Sequence, residues 1–582
     1  MAIKKRLHDA KRAYGDKRAA GNLPAKSNNE NRKRNGKELR RDIITIALLA
    51  LLLVSARLYF YTGPVFSNTQ DEGIYLNMFS SAVSSHNAIS FAAYRNANFS
   101  DVTNALFNPV QMFEFYDGFV MPEIALQKLV GFSAAASIAY VMLFSVIELV
   151  FIFLILRKIS GYRAAVIGGL LLAFLPIDVL FSTQVQPLIP AVAMMAAATY
   201  FLVLSIEEKR SMQRRKYLFV LLSAIFIGLG YLINPVSLFL LFFEAIYFLA
   251  EALHKSRQAA ISIALLLTGF VLAYSIMGFV YLAQSGNFLL YPAVESHIYE
   301  YQLYTQSIVR YNAGPVSFSY VTGSPLFYIP IIFNFLDVGI TGKVYPLYYF
   351  SLMAYAFVAF IPIGIKYRIR YTSFFGAMAL LYYIFMNMPT KFLYANGHLS
   401  FLMISMQPYI STVLELPIII VVSLGISKFL GTKRSRIGAY ALLGLMIAAN
   451  VLFLAHDTSF YSASVSTLHS FIAFVKQNPN AEFYANPIFA GEVNIMTGSK
   501  YSLVMLPSNC TSAFLSSVAA NATTKEYFVG GGTIAFALSP QIENATTSCL
   551  ASYSGIALVK EYKNPFSAYS NEAPPLMIYE AK

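Results

Sequence analysis

Long apolar segments separated by short polar loops run through most of this 582-residue chain. A helix that crosses a lipid bilayer needs roughly 20 mostly apolar residues, because the hydrocarbon core is about 30 Å thick. About eleven segments approach this length: 43–62, 134–156, 164–181, 186–205, 217–233, 235–253, 259–283, 345–365, 373–389, 409–430 and 437–455. Only 12% of the residues are charged, against roughly a quarter in soluble domains. The sequence therefore predicts a polytopic α-helical membrane protein.

The distribution of basic residues predicts how the chain crosses the membrane. Of the 43 Lys and Arg residues, 14 lie in the first 41 positions, and short basic loops follow at 157–163, 207–216, 254–258, 366–370 and 431–436. The long segments 63–133, 284–344 and 390–408 carry few basic residues. Because basic loops stay on the cytoplasmic side, the N-terminus is predicted inside and everything after about residue 456 outside. The net charge of +14 thus indicates topology and contact with membrane lipids rather than nucleic acid.

Three parts follow from this pattern. Residues 1–41 form a basic cytoplasmic tail, predicted to be disordered. Residues 42–456 form the transmembrane body, and residues 457–582 form an extracytoplasmic domain. In that domain "STLHSFIAFVKQ" has the pattern of an amphipathic helix, and "AEFYANP", "YSLVMLP", "EYFVGGG" and "GIALVKEY" have the pattern of short strands. A helix followed by short buried strands predicts a small α/β domain.

Four N-x-S/T sequons and both cysteines lie in segments predicted to be outside. The sequons begin at Asn98, Asn509, Asn521 and Asn544, which is consistent with the predicted topology. Cys510 and Cys549 are predicted to form a disulfide in an oxidising compartment. Sequence spacing alone leaves that pairing open.

Two adjacent acids follow the first apolar segment. Asp71 and Glu72 occur in "SNTQDEGIYLN", about ten residues after the end of the first predicted span, and the stretch from Ile43 to Ser67 contains no acid. A carboxylate at the membrane–water boundary can accept the proton of an attacking hydroxyl, which contributes roughly 10²–10⁴-fold in rate. The alternative is structural, because acids in the first turn of a helix are favoured by the helix dipole.

Other chemistry-bearing patterns are weak. No HExxH, CxxC pair or GxSxG motif is present, and no cytoplasmic loop is long enough for a phosphate-binding loop. Glu148, Glu244 and Glu415 lie inside apolar segments, where each lacks an evident cationic partner. We interpret these three acids as structural groups that hydrogen-bond between helices.

The local pattern around the acid pair resembles a known family. "DEGIY" just after the first span is similar to the Asp-Glu motif of the protein O-mannosyltransferases and lipid A aminoarabinose transferases, which are polytopic GT-C glycosyltransferases. Residues 121–176 resemble the second and third spans of that family. "GLGYLINPVSLFLLFF" at 228–243 resembles its Gly-rich span that breaks at proline.

The resemblance implies that one sugar moves from a polyprenyl-phosphate carrier to an acceptor on the outer face, with inversion. Asp71 would be the general base and Glu72 would shape the same site. The leaving phosphate needs nearby positive charge, and Arg310 in "QSIVRYN" and Lys391 in "MPTKFLY" are the favoured candidates. The acceptor class, whether protein, glycan or lipid, stays open.

One departure from the family concerns a further acid. Relatives often carry an acid in the outer turn between the third and fourth spans, but "FSTQVQPLIP" at 181–190 has none, and Asp178 lies a turn earlier. Asp117 and Glu123 are candidates to replace it. The sequence specifies no cofactor, and participation of a divalent cation stays open.

Competing interpretations remain. The chain contains no Trp, so the WWD motif of oligosaccharyltransferases is absent, which argues against en bloc transfer to Asn. The alternatives are a lipid-linked glycan polymerase or ligase, and a multi-span transporter, which would place paired charges near the bilayer midplane.

Overall fold

The computed structural model of the protein contains a bundle of apolar helices followed by a small β-sheet. It describes residues 26–62, 116–208, 212–253, 256–295, 348–386, 389–395, 398–403, 408–433, 435–485, 500–506, 511–520, 524–531, 548–568 and 575–581, with a few further residues between these ranges, among them 75–76 and 78–80.

Thirteen helices of the described residues precede the sheet. They are α1 (Lys26–Tyr59), α2 (Asp117–Val130), α3 (Ala134–Ile159), α4 (Tyr162–Ala173), α5 (Pro176–Phe181), α6 (Leu188–Glu207), α7 (Gln213–Ile233), α8 (Leu238–Ala252), α9 (Ser256–Ser285), α10 (Met353–Lys366), α11 (Thr372–Met386), α12 (Glu415–Leu430) and α13 (Arg436–Gln477). Short 3₁₀ turns at Pro235–Ser237 and Pro408–Leu414 precede α8 and α12.

Eight helical segments in the described part of the chain are long and apolar enough to cross a membrane. Three shorter apolar helices, α4, α10 and α11, coincide with predicted spans. The predicted class, a multi-pass helical membrane protein with a small C-terminal sheet, is confirmed. The number of spans and the inside–outside topology stay predictions.

The predicted third span, 164–181, differs from the structure. Helix α4 ends at Ala173 and the short helix α5 begins at Pro176. Proline has no backbone N–H and disfavours helical geometry in the preceding residue, and Leu175 accordingly has extended backbone angles. Every residue of α5 is buried.

The C-terminal sheet has five strands. These are β3 (Glu482–Ala485), β4 (Ser502–Met505), β5 (Glu526–Gly530), β6 (Ile556–Tyr562) and β7 (Leu576–Ala581), with helix α14 (Ser512–Ala520) after β4. The strand order is β4-β3-β5-β7-β6, parallel across the first three and antiparallel at β7 and β6. The four predicted strands are present, and β7 was not predicted. A separate hairpin pairs β1 (Pro389–Ala395) with β2 (His398–Met403).

The amphipathic helix predicted at "STLHSFIAFVKQ" is not a separate element. It is the last part of α13, which runs without interruption from the final apolar segment to the sheet. Its aromatic residues pack on the sheet: the ring centroid of Phe474 lies 5.0 Å from that of Tyr527, and that of Phe471 lies 6.0 Å from that of Phe483. One continuous helix therefore joins the membrane bundle to the C-terminal sheet.

Candidate functional site

Several residues predicted for the site lie outside the described part of the chain. These are Asp71, Glu72, Arg310 and Cys510. Lys391 belongs to strand β1, where its backbone pairs with that of Leu402 in an antiparallel hairpin, while its side chain is outside the description. The roles assigned to these residues, and the pairing of Cys510 with Cys549, therefore stay predictions.

Tyr75 lies four positions after Asp71 and is the first described residue that follows the acid pair. Its side chain is fully buried. Its ring centroid lies 5.2 Å from that of Phe119 in an edge-to-face arrangement and 6.5 Å from that of Tyr116. Such aromatic contacts hold two elements together. The chain that follows the acid pair therefore contacts the first turn of α2.

Asp117 lies in this same turn of α2. Its side chain is only 1% exposed, and it accepts a hydrogen bond from the hydroxyl group of Tyr281 on α9. The contact ties α2 to α9 across a separation of 164 residues in sequence. Of the two additional acids considered from the sequence, Asp117 is flanked by the aromatic residues that contact Tyr75. Asp117 therefore lies beside the described residues that contact Tyr75.

Glu123 has a different environment, further along α2. Its Oε1 atom accepts hydrogen bonds from Gln127 Nε2 at 2.7 Å and from Ser137 Oγ at 2.5 Å. Burial raises the pKa of Glu123, and these two hydrogen bonds lower it in part. The contacts hold α2 against the beginning of α3. Glu123 therefore has a structural role in holding two helices together, and this role requires no bound substrate.

A second polar cluster lies inside the helix bundle, around Arg57 near the end of α1. Arg57 is fully buried and forms an ion pair with Asp178 of α5. It also donates hydrogen bonds to Ser145 Oγ at 2.9 Å and to the carbonyl oxygens of Leu53 at 3.0 Å and Ala173 at 3.3 Å. Burying a guanidinium group is costly unless its donors are satisfied. These contacts satisfy the two terminal nitrogens of the guanidinium group, while its Nε donates no hydrogen bond among the described residues.

Two more acids join this cluster. One carboxylate oxygen from each of Glu148, Asp178 and Glu415 lies within 4.8 Å of the others, and all three side chains are fully buried. Arg57 is near enough to interact electrostatically with all three. The sequence did not associate Glu148 and Glu415 with a cation, and the structure places Arg57 near both, although its ion pair is with Asp178. An arginine inside an apolar span is itself a functional signal, and Arg57 was overlooked because it lies close to the end of its span.

The third acid of the spans, Glu244, is separate from the cluster. It accepts a hydrogen bond from the hydroxyl group of Ser223, which belongs to the neighbouring helix α7. This is the interhelical hydrogen bond expected for a structural acid in a membrane bundle. The carboxylates of the described spans thus divide into a paired cluster at Arg57 and an isolated, hydrogen-bonded Glu244.

The middle of this helix bundle matches a known protein family. Residues 124–282 match the family model for dolichyl-phosphate-mannose-protein mannosyltransferase. This range begins in α2 and ends in α9, and it contains Glu148 and Asp178. No curated protein matches this sequence.

Solved structures extend the likeness beyond that segment. ArnT from Cupriavidus metallidurans bound to undecaprenyl phosphate is 10% identical, with a TM-score of 0.52, over 92% of this chain and 97% of that one. The chain has the GT-C fold. The Archaeoglobus fulgidus oligosaccharyltransferase tethered with an acceptor peptide is 13% identical, with a TM-score of 0.51, over 90% of this chain and 73% of that one. The resemblance to the GT-C glycosyltransferases is thus confirmed by the family match over residues 124–282 and by the shared fold.

Proposed function

We propose that this GT-C protein is an integral membrane glycosyltransferase that moves one sugar from a polyprenyl-phosphate carrier to an acceptor. The observation that carries the proposal is the mannosyltransferase family match over residues 124–282 within a chain of GT-C fold. The ArnT structure, which holds undecaprenyl phosphate, supports a polyprenyl-phosphate carrier. The reaction takes place on the outer face, in agreement with the acidic and weakly basic character of the long segments 63–133 and 284–344.

The proposed mechanism is a single displacement with inversion. Asp71 takes the proton of the acceptor hydroxyl as its oxygen attacks the anomeric carbon, and the bond between that carbon and the phosphate oxygen breaks. The sugar passes through an oxocarbenium-like state. Polyprenyl phosphate leaves with the bonding electrons, and Arg310 and Lys391 stabilise its charge. Glu72 shapes the site.

Asp117 is proposed to support the acid pair. The packing of Tyr75 against Tyr116 and Phe119 brings the chain after the pair to the turn that contains Asp117. A buried carboxylate that already accepts a hydrogen bond from Tyr281 adds negative charge near the developing oxocarbenium ion. It also raises the tendency of a neighbouring carboxylate to accept a proton.

The C-terminal sheet is proposed to lie on the same outer side as the site. Helix α13 connects it directly to the last apolar segment, and the basic loops place this end of the segment outside. The predicted Cys510–Cys549 disulfide would then form in an oxidising compartment. A domain in this position is suited to binding the acceptor above the membrane.

The decisive experiment measures sugar transfer in membranes that contain the wild type or Asp71→Asn, supplied with labelled polyprenyl-phospho-hexoses and polyprenyl-phospho-pentoses. Asp101→Asn is the matched control, because it makes the same change in the same predicted outer segment. We expect Asp71→Asn to lower the transfer rate about a hundredfold, since a general base contributes roughly 10²–10⁴-fold. Asp101→Asn should retain the wild-type rate.

Each other outcome has a definite meaning. Equal transfer by the wild type and Asp71→Asn would show that the base is a different residue. Absence of transfer by the wild type with every donor would favour the polymerase or transporter alternatives. The ion pair between Arg57 and Asp178 inside the bundle is the observation on which a transporter interpretation would rest.

A further inference from the structure

The buried acid cluster has an unusual charge balance. Glu148 comes from α3, Asp178 from α5 and Glu415 from the first position of α12, and none of the three is exposed. Arg57 forms an ion pair with Asp178 and so offsets one negative charge. Ionised Glu148 and Glu415 leave two further negative charges in a site that excludes water. Uncompensated charge of this kind is too costly to be kept in a protein interior.

The oxygens of these two glutamates also lack donors. Among the described residues, no N–H group and no hydroxyl group donates a hydrogen bond to Glu148 or Glu415. The two carboxyl groups lie close enough to hydrogen-bond only to each other, when one of them carries a proton. Asp178, by contrast, is satisfied by Arg57 and by Ser145 Oγ, which lies 3.2 Å from one of its oxygens and 3.1 Å from the other. Buried polar atoms are nearly always paired in folded proteins. One oxygen of each glutamate lies within 4.8 Å of the other and of an oxygen of Asp178, and this grouping of unsatisfied oxygens indicates a bound group.

The spacing of the oxygens fits a cation. Two oxygens that bind the same ion lie at most twice the metal–oxygen distance apart, which is about 4–5 Å for distances of 2.0–2.6 Å. The separation of the three carboxylate oxygens, within 4.8 Å, meets this limit. Oxygen-only ligands favour hard cations such as Mg²⁺, Ca²⁺ and Mn²⁺ over soft metals.

We propose that Glu148, Asp178 and Glu415 bind one hard divalent cation inside the helix bundle. Its two positive charges complete the balance that Arg57 begins, and its coordination occupies the oxygens that lack donors. The site joins α3, α5 and α12, which come from distant parts of the sequence, so the ion would act as a structural cross-link of the bundle. The proposal does not depend on the sugar-transfer reaction.

The alternative to a bound cation is a proton in the same cluster. Glu148 and Glu415 are within interaction range of each other, so the two carboxyl groups could share a proton. One shared proton removes a single negative charge, whereas a divalent cation removes two. Direct measurement of metal binding separates these arrangements.

The test uses the purified full-length protein in detergent, treated with EDTA and then exchanged into metal-free buffer. Mn²⁺ is the probe, because bound and free Mn²⁺ differ in their electron paramagnetic resonance spectra. We expect the wild type to bind about one Mn²⁺ per chain, and the ion to raise the thermal unfolding midpoint, since a ligand that binds only the folded state stabilises it. Glu148→Gln combined with Glu415→Gln should weaken Mn²⁺ binding by more than tenfold.

Glu244→Gln is the matched control, because it makes the same substitution at another fully buried acid of the bundle that lies outside the cluster. It should bind Mn²⁺ as the wild type does. If the double variant does not fold, Mn²⁺ binding is compared between the wild type and the single variant Glu415→Gln, and this comparison tests the proposal. The proposal is overturned if the wild type binds no Mn²⁺, Mg²⁺ or Ca²⁺, which would leave the proton arrangement, or if the glutamine variants bind Mn²⁺ unchanged, which would place the ion elsewhere.

Discussion

At the scale of single residues, Arg57 is a fully buried charge in the helix bundle. A guanidinium group inside the bilayer is costly in isolation. Here it is fully buried, yet it is paired with Asp178 and hydrogen-bonded to Ser145 and to two backbone carbonyl groups. Removing one partner of a buried ion pair leaves the other charge without compensation, which is more damaging than losing the pair altogether.

We therefore predict that Arg57→Met lowers the free energy of unfolding by about 3–5 kcal/mol. Combining it with Asp178→Asn should recover part of that loss, because the carboxylate with which Arg57 forms its ion pair is then removed as well. The control is Arg157→Met: Arg157 is half-exposed and pairs with Asp42 at 2.8 Å, so its loss should cost about 1 kcal/mol or less. Thermal unfolding followed by circular dichroism in detergent compares the variants. Equal stability of both arginine variants would contradict the prediction.

At the scale of elements, helices α7 and α9 pack unusually closely. Ala224 and Gly228 of α7 lie four positions apart and face Gly269 and Ala273 of α9, which have the same spacing. A methyl group built at Gly228 would lie 2.6 Å from the Cβ of Ala273 and 2.8 Å from the carbonyl oxygen of Phe270. Small residues at this spacing let membrane helices approach closely and gain van der Waals contact. The Gly-rich segment noted in the sequence thus has a packing role.

Gly228→Val is predicted to push α7 and α9 apart and to destabilise the protein by about 1–3 kcal/mol, because the added atoms overlap backbone that cannot move freely. Gly444→Val in α13 is the control, since no atom lies within 4 Å of a Cβ built at Gly444. Fluorescence-detected gel filtration after heating measures the two variants in parallel. If Gly228→Val survives heating as well as Gly444→Val, close packing at this crossing is not important for stability.

At the scale of the whole molecule, α13 couples the membrane bundle to the C-terminal sheet. The helix runs from Arg436 to Gln477 without a break. Near its middle, Asp457 accepts the backbone N–H of Tyr348 at 3.0 Å. Near its end, Phe471 is fully buried against the sheet residue Phe483. A rigid helix with contacts at both levels limits how far the sheet can move relative to the bundle.

Phe471→Ala should loosen the sheet while leaving the bundle intact, since truncating a buried phenylalanine costs about 3–5 kcal/mol. Hydrogen–deuterium exchange measured by mass spectrometry should show faster exchange in β3 and β5 and unchanged exchange in α3 and α6. Ala473→Ser, at an exposed position of the same helix, should leave both regions as in the wild type. Uniformly faster exchange throughout the chain would instead mean that α13 stabilises the whole molecule as one cooperative unit.

The sequence by itself determined the class of the protein, the positions of its apolar helices and four of the five strands of the sheet. These features depend on local composition and periodicity, which a window of about 20 residues contains in full. It also pointed to the GT-C likeness through Asp71 and Glu72, whose position after the first span is a local property. Strand β7 was missed because "LMIYEA" is short and follows directly on a proline pair, with little alternation to identify it.

Only the tertiary structure decided which distant residues meet. Arg57, Glu148, Asp178 and Glu415 are spread over more than half of the chain, and each by itself is merely a charged residue in or beside an apolar segment. Their convergence depends on how α1, α3, α5 and α12 pack, including the break at Pro176 that brings Asp178 inward. The contacts between α7 and α9 are decided in the same way. Such contacts have no local signal, because the free energy that creates them arises between helices rather than within them.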